Sequence, residues 1–342
     1  MQISWNILSK YRNELYGISI LWIILFHGLE FKNFSLFREL SGFKEIIEHG
    51  NIGVEIFLFM SGICLYYSMK KESNIFKFYK KRLKKILIPF LLIDGLYWFY
   101  SCVILDYNIL TFIKNITFYS FWFEGMKTVW FIALIIPLYI FYPLLFKYIL
   151  NNNEINRLIY IVLLCAVVYV ICSVLKYIDP KCFEMIEIAL TRIPVFLLGS
   201  YCGILAYEEK KISSTIKLFT FFIIIISVAY FNYHFIGLIK SFRIPYLFIG
   251  ISLSIWICIC LDAIANIKLN GFLSIWGELS LELYLVHMIL KKILISTPLY
   301  GGSAVANYNK YIIFVLFGSY MISKIIVYIQ EKIILKLNYG NE

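Results

Sequence analysis

The chain has 342 residues, of which 61% are hydrophobic and 15% charged, with a formal net charge of +11 and a mean hydropathy of +0.80. Soluble folds carry about 45–50% apolar residues, so this composition excludes a water-surrounded globule and leaves helices in lipid, which can expose apolar surface. The surplus Lys and Arg residues lie between apolar stretches, which argues against a nucleic-acid face and for a role in setting membrane orientation.

A bilayer core about 30 Å thick needs about 20 helical residues. Continuous apolar runs, rather than alternating ones, predict helices and not a barrel. Ten spans are expected, at about 14–31, 51–69, 86–106, 128–149, 156–175, 183–207, 214–231, 245–266, 275–296 and 310–331. The expected fold is therefore all-α: a polytopic bundle forming a single membrane domain over 1–342, with no added soluble domain. No cleavable leader is expected, since the first run is long enough to span and lacks a small-residue cleavage site.

Taken in chain order, the spans hold ionisable groups that lipid disfavours by roughly 2.5–3.5 kcal/mol each at mid-bilayer. Span one carries Arg12 at its edge and His27 13 residues beyond Glu14, or roughly 20 Å from the inner face at 1.5 Å per residue. Span two carries Glu55 about one turn from its start. The segment 70–85 then holds eight basic residues: Lys70, Lys71, Lys77, Lys80, Lys81, Arg82, Lys84 and Lys85. The positive-inside rule makes this loop cytoplasmic and, with ten spans, both termini as well. Lys210, Lys211, Lys332 and Lys336 agree, whereas Lys291, Lys292 and Lys310 fall on the other side. Phe76, Tyr79, Leu83 and Ile86 repeat at helical spacing, with lysines opposite, which predicts a helix lying at the inner interface. It serves either as an orientation signal touching anionic lipid or as a clamp for the phosphates of a soluble donor such as coenzyme A.

Arg192 sits in the sixth expected span, and Glu282 and His287 sit in the ninth. The depths of His27, Glu55, Arg192, Glu282 and His287 overlap, so one shared polar cavity is feasible. His27 reads either as a packing histidine or as a general base or nucleophile, since imidazole titrates near neutrality. The carboxylates read either as structural ion-pair members or as partners for His27 and Arg192. His49 and His234 fall in outer loops without evident chemistry. The eight cysteines and four histidines show no metal-ligand spacing, so no metal is expected, and the cysteines read as small apolar packing residues.

Six segments recur in a recognisable order. They are Arg12-Asn13-Glu14-Leu15-Tyr16-Gly17 leading to Phe26-His27, then Gly53-Val54-Glu55 through Ser61-Gly62, then Phe78-Tyr79-Lys80-Lys81-Arg82 with Pro89. Trp130-Phe131 with Tyr139 and Pro143 follows, then Arg192 through Phe196 and Gly199, and last Gly277-Glu278-Leu279-Ser280 through Tyr284-Leu285-Val286-His287. Together they resemble the acyltransferase-3 family of integral membrane acyltransferases over about residues 12–287. One position departs from that pattern: Tyr16 stands where the family has a basic residue, and Arg12 lies one turn lower on the same helix face.

The resemblance implies a ten-helix core and transfer of an acyl group, usually acetyl, from cytosolic acetyl-CoA to a hydroxyl of a surface polysaccharide or lipid-linked sugar. It also implies a site in the inner membrane of a bacterium. No permanently bound cofactor is expected, and oligomeric state is open. On this reading His27 is general base or acyl carrier. Glu282 or Glu55 fixes its tautomer. Arg192, with Ser280 and Tyr284, stabilises the oxyanion. Arg12, Arg82 and Lys85 bind the donor, while Trp130, Ser280, Tyr284 and His287 contact substrate. Two other readings remain at this point: a multi-pass transporter of a glycan-related substrate, whose membrane charges line its path, and a structural subunit of an export complex.

Overall fold

A computed structural model describes residues 3–29, 41–72, 74–233, 242–265, 267–297 and 304–339. His234 lies outside the described residues. The main helices are α1 (Arg12–Gly28), α2 (Ile52–Lys71), α3 (Ile75–Leu105), α4 (Lys127–Leu150), α5 (Glu154–Ile178), α6 (Pro180–Tyr207), α7 (Ser214–Tyr233), α8 (Ile244–Ile264), α9 (Ile267–Glu278), α10 (Ser280–Ser296) and α11 (Asn309–Lys336). No strand occurs among the described residues. Seven of these helices, α2 to α6, α8 and α11, are long and apolar enough to cross a membrane. The expected spans one, seven and nine also coincide with helices. However, α1 and α10 have 17 residues each, and the apolar part of α7 covers only Ser214–Val228. The chain is thus an all-helical, multi-pass membrane protein.

The bundle is built around α2. Of its apolar window 83% is buried, against 11% for α5 and 17% for α11, so the last two form the lipid-facing periphery. Glycines set how closely its neighbours approach, as small residues do in membrane bundles. A Cβ on Gly199 of α6 would lie 2.1 Å from the Phe59 carbonyl oxygen of α2, and one on Gly62 of α2 would lie 2.4 Å from the Phe196 carbonyl oxygen. The same device holds α1 to α9, where a Cβ on Gly277 would lie 1.7 Å from the Asn13 carbonyl oxygen and one on Gly17 would lie 2.0 Å from that of Leu273. Because the clashing atoms are backbone, the helices themselves must separate. Gly277→Val is therefore expected to cost at least the about 1–3 kcal/mol of an overpacked core. Thermal unfolding of the detergent-purified protein should fall below that of the parent, and an unchanged midpoint would refute this crossing.

Local rules account for the breaks in the long helices. Asn74 caps α3 by accepting from the Lys77 backbone N–H at 3.0 Å, and Asp179 caps α6 by accepting from that of Cys182 at 3.0 Å, with Pro180 in the first turn. Wider π-helical turns at Leu91–Gly95 and Phe146–Leu150 follow Pro89 and Pro143, each of which removes a backbone donor. The helix α6 pauses at Thr191 and Arg192 before Pro194, which makes Arg192 the N-cap of its second half.

The basic segment is helical from Ile75 and runs on as the first turns of α3, with Phe78 buried against the bundle and Phe76 74% exposed. At the same end of the bundle the N-terminal segment bridges to the loop after α6 through Ser4 and Lys211, and Lys10 pairs with Asp262 at 2.6 Å.

Candidate active site

A cavity of about 380 Å³ opens between α1, α2, α3, α4, α9 and α10. Three cations line it: Arg12, Arg82 and Lys85. Arg82 is fixed from two directions, donating from Nε to Ser68 Oγ at 3.1 Å and from Nη2 to the Cys64 carbonyl at 3.3 Å. The spacing of the segment put the basic residues on a face away from the apolar one, yet the bonds to Ser68 and Cys64 of α2 hold Arg82 against the bundle. Opposite stand Ser280, Glu282 and Tyr284 of α10 with Glu278 of α9. Tyr16 also lines the cavity, with its hydroxyl 3.8 Å from Cys64 Sγ, and Arg12 joins it on the same wall. A cation thus reaches the cavity from one turn away from position 16.

Trp130, Glu55 and Arg192 form a second group beside the cavity. Glu55 is 1% exposed and Arg192 is 2% exposed. Arg192 Nε lies 3.0 Å from Glu55 Oε1, an ionic contact whose N–H does not point at the oxygen. Nη1 of Arg192 donates to the Ile188 carbonyl at 2.7 Å, and its guanidinium sits 4.6 Å from the Trp130 ring centroid. A cation at a helix N-cap opposes the helix dipole, so Glu55 supplies the necessary counter-charge. Arg243, at the start of α8, adds a second clamp, donating to the same Glu55 oxygen from Nε at 3.2 Å and from Nη2 at 3.0 Å. Arg243 was not among the expected site residues. Nothing local in the sequence pairs it with a glutamate 188 positions away, since Arg192 already balances Glu55 on paper.

His27 and His287 meet in a third group, with ring centroids 5.4 Å apart. His287 is fully buried, its Nδ1 lies 2.9 Å from the Leu283 carbonyl, and its Nε2 has no hydrogen-bond partner among the described residues. An unsatisfied buried polar atom costs about 1–3 kcal/mol, so it calls for a partner. Neither ring lines the cavity. The link is Tyr284, which lines it and whose ring lies 5.7 Å from that of His287. Glu55 is held by arginines and Glu282 faces the cavity; these two were the expected partners of His27, and the ring packed beside it is instead that of His287, which was expected to contact substrate.

One further buried carboxylate was not singled out from the sequence. Asp94, 2% exposed, sits in the π-helical turn of α3 with Oδ2 unpartnered among the described residues. Lys292 of α10, which donates to Thr128 Oγ1 at 3.1 Å, is the cation whose charge reaches it.

Converging helices, a cationic cavity and an adjoining imidazole pair define an integral membrane protein with a built polar site. A family model described as an acyltransferase domain matches residues 15–328, nearly the whole chain. The chain belongs to the acyltransferase-3 family and is a membrane acyltransferase. No curated protein and no solved structure matches it.

Proposed function

We propose that this acyltransferase moves an acyl group, in the first instance acetyl, from acyl-CoA to a hydroxyl of a cell-surface or lipid-linked carbohydrate. The observation that carries the reading is the continuity from cations to imidazoles: Arg12, Arg82 and Lys85 share a cavity with Tyr284, whose ring abuts His287 and, beyond it, His27. Arg and Lys suit the phosphates of a coenzyme A. A volume of about 380 Å³ suits the slender thioester arm better than the whole cofactor. The nucleotide then stays at the mouth, in the cytosol, and both termini lie on that side of a bacterial inner membrane.

A sugar hydroxyl must lose its proton as it attacks the thioester carbonyl. His27 takes that proton, or carries the acyl group in a two-step variant. The Ser280 and Tyr284 hydroxyls are the oxyanion donors that line the cavity. Arg192, tied to Glu55, braces the wall next to them.

Membranes containing the protein and its glycan should incorporate label from acetyl-CoA as a base-labile ester. Movement of the sugar without covalent change would overturn the proposal in favour of a transporter. Within the same assay, Arg82→Ala removes charged hydrogen bonds worth about 1.5–3 kcal/mol. It should raise KM for acyl-CoA roughly 10- to 100-fold and leave kcat nearly intact. An unchanged KM would remove Arg82 from the donor site.

A further inference from the structure

We propose that His287 is the second base of the reaction, accepting through Nε2 a proton relayed by His27, so that two imidazoles share the proton of the acceptor hydroxyl. This deepens the acyl-transfer reading above and rests on it. The tautomer follows from one contact. A carbonyl oxygen only accepts, so Nδ1 of His287, 2.9 Å from the Leu283 carbonyl, must carry the hydrogen. A neutral imidazole has one N–H, which leaves Nε2 with a lone pair. A doubly protonated ring would need a second acceptor, and none is present among the described residues. The ring is therefore a neutral, pre-oriented base inside a fully buried site.

Its neighbour is the ring of His27 at 5.4 Å between centroids and 39° between planes, close to the spacing of two imidazoles sharing one hydrogen bond. His27 lies in the last turn of α1. The groups whose charge reaches His287 are His27 and Lys291, the latter following it on α10; the buried carboxylates Glu282 and Asp94 lie in the cavity wall and in α3. Neither carboxylate bonds the ring to hold a second proton there. The relayed proton is thus held briefly and returned.

The step balances. The hydroxyl O–H bond breaks as its oxygen bonds to the thioester carbonyl carbon. The proton enters one nitrogen of His27, and the proton on the other passes to His287 Nε2. Cleavage of the carbon–sulfur bond releases a thiolate, which takes the proton back through the pair. The products are the ester and coenzyme A thiol.

His287→Asn retains a donor for the Leu283 carbonyl and removes the base. His287→Gln can still accept a hydrogen bond but takes up no proton. Both should fold, keep KM for acyl-CoA, and lose about 100- to 10,000-fold in kcat. Wild-type kcat in His287→Gln would reduce the residue to a positioning role and overturn the relay. In the unsubstituted protein, transfer rates in mixtures of light and heavy water should curve, as two protons in flight require. A straight line would overturn the relay even if the variants failed to fold. Nitrogen-15 spectra of histidine-labelled protein separate this from the acyl-transfer reading, because they need no turnover. His287 should show a protonated Nδ1 and a lone-pair Nε2 whose resonance moves in His27→Gln, and an unmoved resonance would refute the coupling. Absence of labelled ester with the unsubstituted protein would instead refute the acyl-transfer reading.

Discussion

The Glu55→Ala protein should be the least stable of the single variants at the polar groups. Removing this carboxylate leaves Arg192 and Arg243 facing each other, the first of them 2% exposed, with no counter-charge between them. Breaking a buried pair by deleting one partner costs about 3–5 kcal/mol, because the remaining charge stays desolvated. That is a large share of the roughly 5–15 kcal/mol that holds a typical fold together. The variant should therefore extract poorly and unfold at markedly lower temperature. Glu55→Gln, which still accepts from Arg243, should lose less. Pairing Glu55→Ala with Arg192→Met should recover part of the loss, because the double substitution removes a buried charge together with its partner. Parent-like unfolding of Glu55→Ala would mean that the two arginines find other counter-charges. Glu55 is on this account an anchor of α6 and α8 to α2, and any effect of its loss on turnover arises through the wall it supports.

Hydropathy made the helices legible because lipid imposes continuous apolar runs, and each expected span falls on a helix. It did not fix their number as membrane crossings. The helices α1 and α10, which carry Arg12, His27, Glu282 and His287, have 17 residues each, short of the about 20 that a bilayer core needs. The site residues were legible as types and less so as partners. His27 and His287 lie far apart in the chain, and only the packing of α10 against α1 brings their rings together. Arg243 was hidden for the same reason. Asp94 meets the criterion that marked Glu55 and Glu282, an ionisable group in an apolar run, and lacks only a flanking motif. The motif glycines had no role in sequence beyond pattern. In the fold, Gly17, Gly62, Gly199 and Gly277 are the points where backbones touch.

His27→Ala should abolish the larger part of acyl transfer, by about 100- to 10,000-fold in kcat, the usual worth of a positioned general base. The loss should fall on kcat and spare KM for acyl-CoA, because the ring does not line the cationic cavity that holds the donor in our reading. Stability should change little, since His27 is half-buried at the end of α1, unlike the fully buried His287. The same variant distinguishes the two chemical routes. If His27 is a base, protein quenched during turnover with labelled acetyl-CoA carries no covalent label, with or without the substitution. If it carries the acyl group, the parent should show a labile label that vanishes in His27→Ala, together with ping-pong kinetics. Full-rate acetylation by His27→Ala would remove the imidazole from the chemistry and, with it, the relay to His287. A residual rate well above the uncatalysed one is still expected, because Ser280 and Tyr284 remain to orient the thioester and stabilise its oxyanion.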